Sequence, residues 1–146
     1  MCFNGFKHKM SMSHSIEKFL DDLTAWASQQ EDIQALVLVG SYANDTYTAI
    51  SDVDVVILCE HPQHFLDHAT WIERFGKVER WRIEDYGRVT SVRVWYQQGR
   101  EVEFGITDPQ WGFDPADQGT QQVIRAGARI LMARGSRFNK LVSDKN

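Results

Sequence analysis

The sequence is poor in cysteine and has no long apolar run. Its 146 residues include two cysteines, Cys2 and Cys59, so we expect no disulfide framework and a reducing compartment. No stretch is apolar for the length needed to cross a bilayer, and the polar N-terminus lacks the apolar segment and cleavage site of a secretory signal. We therefore expect a cytoplasmic protein that does not bind membranes.

A surplus of basic residues is also missing. The net charge of −4 argues against a general polyanion binder, so nucleic acid is not expected as a partner. The chain has neither a Walker-type glycine loop with lysine nor a Ser-His-Asp arrangement, which disfavours P-loop and hydrolase chemistry. Its length is that of one ordinary domain. We expect a disordered N-terminal segment at residues 1–12 and a single domain at residues 13–146.

The first half of the chain predicts helices packed on buried strands. Apolar residues at helical spacing from Ile16 to Trp26 predict an amphipathic helix. The β-branched runs at residues 33–40 and 53–59 predict strands buried on both faces, which require cover on both sides. Residues 67–76 predict another helix that ends at a glycine.

The second half of the chain predicts an antiparallel meander. Turn signals at Tyr86-Gly87 and Gln98-Gly99 separate three segments of near two-residue alternation. A short helix at residues 118–126, a final strand over "ARILMA" and a terminal turn capped by Ser136 follow. The sequence therefore predicts an α/β (α+β) fold with a mixed β-sheet of about five to six strands, flanked by helices.

Two aspartates stand where the second buried strand begins. Asp52 and Asp54 would project from one face, roughly 6 to 7 Å apart at the backbone. Neighbouring carboxylates repel unless a cation lies between them, and hard divalent ions such as Mg²⁺ take such oxygen ligands. The simpler interpretation of an isolated Asp-x-Asp is a turn residue followed by a solvated strand start.

The Gly40-Ser41 pair favours the metal interpretation. Gly40 ends a buried strand, and the missing Cβ would let a phosphate approach the backbone. Ser41 adds a hydroxyl, and a helix starting there would favour a phosphate through its backbone N–H groups. By itself, strand-Gly-Ser is equally a plain strand end with a helix cap. Strand, Gly-Ser, ten residues and then Asp-x-Asp is a much more specific pattern.

These residues resemble the nucleotidyltransferases of the DNA polymerase beta superfamily, especially the small bacterial ones, the minimal and aminoglycoside adenylyltransferase-like members. The family pattern is an apolar strand, Gly-Ser, a short gap, Asp-apolar-Asp-apolar, and later a third carboxylate on a strand. Here these elements are "LVLVGS", "DVDV" and "VEF" around Glu103, within residues 33–107. Glu101 shares a strand face with Glu103 and competes for the third role, but only Glu103 lies between two apolar residues in mid-strand.

The resemblance implies a polymerase beta palm-like fold and two-metal-ion catalysis. It assigns Asp52 and Asp54 to two Mg²⁺ ions, and Glu103 to one of these metal sites and to acceptance of the proton. It assigns Gly40 and Ser41 to the β and γ phosphates of ATP or another nucleoside triphosphate. One position departs from the family, because members often have Ala-Arg-Gly where this chain has Ala-Asn-Asp at residues 43–45.

The activity implied by the resemblance is transfer of a nucleoside monophosphate, AMP from ATP, onto a hydroxyl-type acceptor on a small molecule or partner protein. About forty residues follow the core, fewer than the helical substrate domain of many antibiotic-modifying members. A homodimer or a toxin-like partner chain is therefore expected to complete acceptor binding. The alternative is a catalytically weak nucleotide-binding or protein-interaction module, such as an antitoxin-type partner of a helical toxin. The three carboxylates favour the enzyme, and the missing arginine favours the module.

Two further groups of residues have two interpretations each. His61, His64, His68 and Asp67 could bind a transition metal, although a solvated helix start is the simpler interpretation. Four arginines of the meander could form an anion patch for the triphosphate, or could be ordinary charged residues of an exposed sheet face: Arg80, Arg82, Arg88 and Arg93.

Overall fold

A computed structural model describes residues 14–112, 127–135 and 138. The helices are α1 (His14–Ser28), α2 (Ser41–Asn44) and α3 (Pro62–Asp67), with 3-10 helices at Ala69–Phe75 and Pro109–Gly112. The strands are β1 (Ile33–Val39), β2 (Val53–Cys59), β3 (Val78–Asp85), β4 (Thr90–Tyr96), β5 (Glu101–Thr107) and β6 (Ala128–Ala133). No helix in these ranges is long and apolar enough to cross a membrane.

The strands form one mixed sheet in the order β3-β4-β5-β2-β1-β6. β2 and β5 are parallel, and the other neighbouring pairs are antiparallel. The predicted mixed sheet flanked by helices is confirmed, as are the meander and the strand over "ARILMA". The parallel pairing of β2 with β5 matters most for the site, because it brings residues about fifty positions apart side by side.

The sheet is buried on both faces where β1 and β2 lie. On one face, residues such as Leu36 and Ile57 pack against α1 and the 3-10 helix at Ala69–Phe75. Trp26 of α1 stacks on Trp71 there, with ring centroids 5.1 Å apart. On the other face, a second buried cluster combines alternate strand residues with Trp111 and Phe138, and its strand members are Ala35, Val37, Val39, Val56, Leu58 and Ala128. The continuous apolar runs predicted this two-sided burial correctly.

The single helix predicted at residues 67–76 is wrong, because this region contains two shorter helices. The chain forms α3, which starts at Pro62, and then a separate 3-10 helix from Ala69. His68 separates the two because its backbone leaves the helical conformation, with φ −126° and ψ 73°. Trp71 donates a hydrogen bond from its indole Nε1 to the Phe65 carbonyl at 2.9 Å, which ties the two short helices together. The N-terminal segment at 1–12, the predicted helix at 118–126 and the Ser136 cap lie outside the described residues.

Candidate active site

Three carboxylates meet on one face of the central strands. Asp52 lies just before β2, Asp54 is the second residue of β2, and Glu103 is on β5. The parallel register places Asp54 directly beside Glu103. One carboxylate oxygen from each residue lies within 4.8 Å of the others. These are the three carboxylates that the sequence motifs indicated, and the pairing of β2 with β5 brings them together.

Strand alternation sets the direction of these side chains. Val53, Val55 and Val102 pack into the core beneath α1, so Asp54 and Glu103 project from the opposite face. All three carboxylates are neither fully buried nor fully exposed. The arrangement leaves the acids accessible to a ligand while their apolar neighbours hold the backbone in place.

The cluster carries an electrostatic cost in the absence of a bound cation. Burial in the first place, and then the negative charges of Asp52 and Glu103, together raise the pKa of Asp54 to about 7. A divalent cation with oxygen preference would relieve this repulsion and satisfy the carboxylate lone pairs. The donor set and the strained ionisation of Asp54 thus fit a Mg²⁺-type ion.

The predicted Gly-Ser turn lies against the same carboxylates. Gly40 follows β1 and adopts φ 74 and ψ −157, a backbone conformation that essentially only glycine takes. A Cβ atom at Gly40 would lie 2.5 Å from the Asp54 Oδ2 atom. Val39 pairs with Asp54 across β1 and β2, which explains this contact. Ser41 follows Gly40 directly and begins α2.

The positions that depart from the family pattern form a compact turn after α2. Asp45 adopts the left-handed conformation, with φ 63 and ψ 26, where family members often have glycine. The Asn44 side chain accepts a hydrogen bond from the Thr46 backbone N–H at 3.1 Å. The turn is therefore closed by local contacts of its own, without the arginine and glycine of the family pattern.

Arg93 contacts the acidic cluster, whereas the sequence suggested it only as one of four arginines of a possible anion patch for the triphosphate. Its guanidinium contacts four carboxylates. Their oxygens are those of Asp52 at 3.3 Å, Glu101 at 2.6 Å, Glu84 at 3.1 Å and Glu103. A signal existed, because Arg93 alternates with Val92 and Val94 in the middle strand of the meander.

Of the other three arginines of the meander, Arg82 lies opposite Arg93 and shares Glu84 with it. Arg80 lies over the Trp95 ring at 4.1 Å. Arg82 pairs with Glu84 at 2.6 Å, and Arg88 lies 3.6 Å from Asp108. Hydrogen bonds from Tyr86 and Arg93 lower the pKa of Glu84 to about 2, so this acid stays charged. The contacts give each arginine a local partner and do not favour the anion-patch interpretation.

The histidine-rich segment does not form a metal-binding group among the described residues. Across the part of the chain that the structure describes, the group of three potential metal-binding side chains is formed by Asp52, Asp54 and Glu103. His61 instead lies 3.0 Å from the Asp32 carboxylate through its Nδ1 atom. This agrees with the solvated helix start as the simpler interpretation.

A cleft of about 1100 Å³ lies between α1, the segment that joins α2 to β2, and the turn between β4 and β5. Tyr42 and Tyr47 line it and stack on each other, with ring centroids 4.5 Å apart. Ser51, Arg100 and Glu101 form other parts of its wall. Its volume is comparable with that of pockets that hold small organic ligands. The cleft is large enough for a small substrate, but Asp52, Asp54 and Glu103 are not among the residues that line it.

Comparisons with known proteins give a family match and matches in fold. A family profile described as streptomycin adenylyltransferase matches residues 13–104. An aminoglycoside 6-adenyltransferase from Bacillus subtilis superposes with a TM-score of 0.51 and 16% identity, over 69% of this chain and 37% of that one. A CCA-adding enzyme superposes with a TM-score of 0.52 and 12% identity, over 89% of this chain and 32% of that one.

These structural likenesses show the fold, and this chain spans about a third of the length of the two solved proteins. A comparison with curated protein sequences finds no match. The family match covers more than half of the sequence and includes the Gly-Ser turn and all three carboxylates. The resemblance drawn from the sequence motifs is confirmed, and the chain belongs to the streptomycin adenylyltransferase family of nucleotidyltransferases.

Proposed function

We propose that the protein transfers AMP from ATP onto a hydroxyl-type acceptor by two-metal-ion catalysis. The observation that supports this most is the meeting of Asp52, Asp54 and Glu103, with one oxygen of each within 4.8 Å of the others. The Gly40 backbone faces Asp54 directly. The backbone that would bind the phosphates therefore lies against the carboxylates that would bind the metal ions, Asp52, Asp54 and Glu103, which we call the metal platform. The interaction-module alternative is not favoured, because all the acids needed for chemistry converge.

Each residue has a distinct role in this proposal. Asp52 and Asp54 hold two Mg²⁺ ions, and Glu103 completes one of the two sites. When bound, the ions neutralise phosphate charge and make the acceptor hydroxyl easier to deprotonate. Glu103 accepts the hydroxyl proton. Ser41 donates a hydrogen bond to a phosphate oxygen, and Gly40 lets the β and γ phosphates approach the backbone.

The acceptor is proposed to bind in the cleft between α1, the segment that joins α2 to β2, and the turn between β4 and β5. One structurally similar protein is an aminoglycoside 6-adenyltransferase, so polyhydroxylated aminoglycosides are the first acceptors to test. A partner protein with an exposed hydroxyl side chain is the second. The chain spans about a third of the length of such relatives. We propose that a second copy or a partner chain contributes acceptor contacts.

Calorimetric titration of ATP, GTP, CTP and UTP tests the nucleotide part of this proposal. We expect binding of ATP that requires Mg²⁺ and is lost in Asp54→Asn. Asp21→Asn is a matched control, since Asp21 is an exposed residue of α1. Absence of binding to every triphosphate, or equal binding by Asp54→Asn, would contradict the proposal. A positive result leads to an acceptor screen that measures pyrophosphate release.

A further inference from the structure

Arg93 is a positive charge in direct contact with two of the three proposed metal ligands, Asp52 and Glu103. It lies on β4 directly opposite Glu103 on β5. Its side chain is 16% exposed, and its guanidinium donates hydrogen bonds to Asp52, Glu84, Glu101 and Glu103. One guanidinium thus compensates four acids on a half-buried surface, where a lone carboxylate is costly.

The four acids fall into two pairs. Asp52 and Glu103 belong to the cluster with Asp54, whereas Glu84 and Glu101 lie beyond it. Glu84 receives the Arg93 Nε donor at 3.1 Å, and Glu101 receives Nη1 at 2.6 Å. The same Nη1 atom reaches Asp52 at the longer distance of 3.3 Å, and Nη2 reaches Glu103. Arg93 therefore has two anchors that do not depend on the acids of the cluster.

We propose that Arg93 is an internal counter-cation that competes with divalent metal for Asp52 and Glu103. The proposal rests on the proposed function, because it assumes that the cluster binds metal. Metal entry takes Asp52 and Glu103 away from the guanidinium. Glu84 and Glu101 then keep Arg93 at the rim of the site. The arginine sets the metal affinity of the protein and contributes no ligand atom.

Two effects of Arg93 oppose each other, and the contacts indicate which is larger. The guanidinium orders the acids, which would help a metal to bind. It also occupies oxygens that a metal needs, and its charge repels a divalent ion at short range. Asp54 has backbone neighbours on both sides in the sheet and needs no arginine to hold its position. Competition should therefore exceed ordering, so that removing the charge tightens metal binding.

The test is a titration of the full chain with Mn²⁺ at low salt and without nucleotide, in which electron paramagnetic resonance measures the bound and free Mn²⁺. We expect the dissociation constant of Arg93→Gln to fall by about tenfold relative to the wild type. The matched control is Arg82→Gln. Arg82 pairs with Arg93 across β3 and β4 and also binds Glu84, but it has no contact with Asp52, Asp54 or Glu103. Arg82→Gln should change the constant by less than about twofold.

An unchanged or weaker affinity in Arg93→Gln would overturn the proposal. So would equal tightening in both arginine variants, since that would reflect net charge alone. If neither the wild type nor Arg93→Gln binds Mn²⁺, the proposal fails together with the metal platform. If only the wild type and Arg82→Gln bind it, Arg93 orders the site and competition is refuted while the platform stands.

Arg93→Lys keeps the inference testable if Arg93→Gln does not fold, which circular dichroism would show. Lysine retains the charge but cannot bridge four carboxylates, because it lacks the planar fork of arginine. We expect tightening of about two- to fivefold, smaller than the effect of full charge removal. In that case, an affinity for Mn²⁺ equal to that of the wild type would overturn the proposal.

Discussion

Replacing Asp54 by asparagine should stabilise the metal-free protein while removing its metal site. The pKa of Asp54 is raised from 3.8 to about 7 in the folded state, mainly by burial and then by its acidic neighbours. A raised folded-state pKa means that the stability present below pH 4 is lost as pH rises through 7. Asparagine stays neutral, so the variant does not suffer this loss.

The size of the effect follows from the shift. About three pKa units at 1.36 kcal/mol each give an upper limit of about 4 kcal/mol. Because Asp54 is partly exposed, solvent screening reduces this to about 1–3 kcal/mol. For a chain of this length, that corresponds to an increase of about 3–8 °C in melting temperature at pH 8.

The assay is thermal unfolding with a metal chelator at pH 5 and pH 8. Asp54→Asn should exceed the wild type clearly at pH 8 and by less at pH 5, where Asp54 is mostly protonated in the folded state. Asp21→Asn controls for loss of one negative charge at an exposed position. A variant that is less stable than the wild type at pH 8 would refute the electrostatic reasoning. Added Mg²⁺ should stabilise the wild type and leave Asp54→Asn unchanged.

Three further perturbations follow from the same geometry. Gly40→Ala should lower the free energy of unfolding by about 1–3 kcal/mol and abolish nucleotide binding. The alanine Cβ would collide with Asp54 Oδ2, and the φ of 74° at this position strains any residue other than glycine. Denaturant unfolding measures the stability, and calorimetry measures the nucleotide binding. Mg²⁺ should bind about tenfold more weakly at pH 6 than at pH 8 and should release a proton, because Asp54 must ionise. Calorimetry in two buffers of different ionisation enthalpy measures both the affinity and the proton release. An affinity for Mg²⁺ that is independent of pH would contradict this prediction. Glu103→Gln should lower metal affinity at least about tenfold, whereas Glu101→Gln should keep the affinity within a few-fold of the wild type, since Glu103 is the residue that joins the two aspartates. Equal losses of Mn²⁺ affinity in the two variants would contradict the assignment of Glu103 as the third ligand.

The local elements of the site were predictable because each has its own sequence signal. The β-branched runs define β1 and β2, and the Gly-Ser turn and the Asp-x-Asp pair mark their ends. Alternation in "VEF" places Glu103 on the face away from the core. The identity of the third partner depended on family resemblance as well, because spacing alone left Glu101 as a competitor.

The remaining features depend on strand register, which local patterns do not encode. Gly40 lies against Asp54 because Val39 pairs with Asp54. Arg93 reaches Glu103 because β4 and β5 pair at those two residues. The break at His68 is also hidden, because the surrounding residues have helical spacing and no local signal marks the non-helical backbone at His68. A residue can thus be placed on a face from sequence, while its partner across the sheet cannot.

The most direct test of the metal platform is the number of Mn²⁺ ions bound per chain in the presence of a non-hydrolysable ATP analogue. Electron paramagnetic resonance counts free and bound Mn²⁺ in one titration. The account predicts two ions per chain with the analogue, and loss of this binding in Asp54→Asn but not in Asp21→Asn. Analogue binding without any metal, or two ions retained by Asp54→Asn, would contradict the assignment of Asp52, Asp54 and Glu103 as the platform.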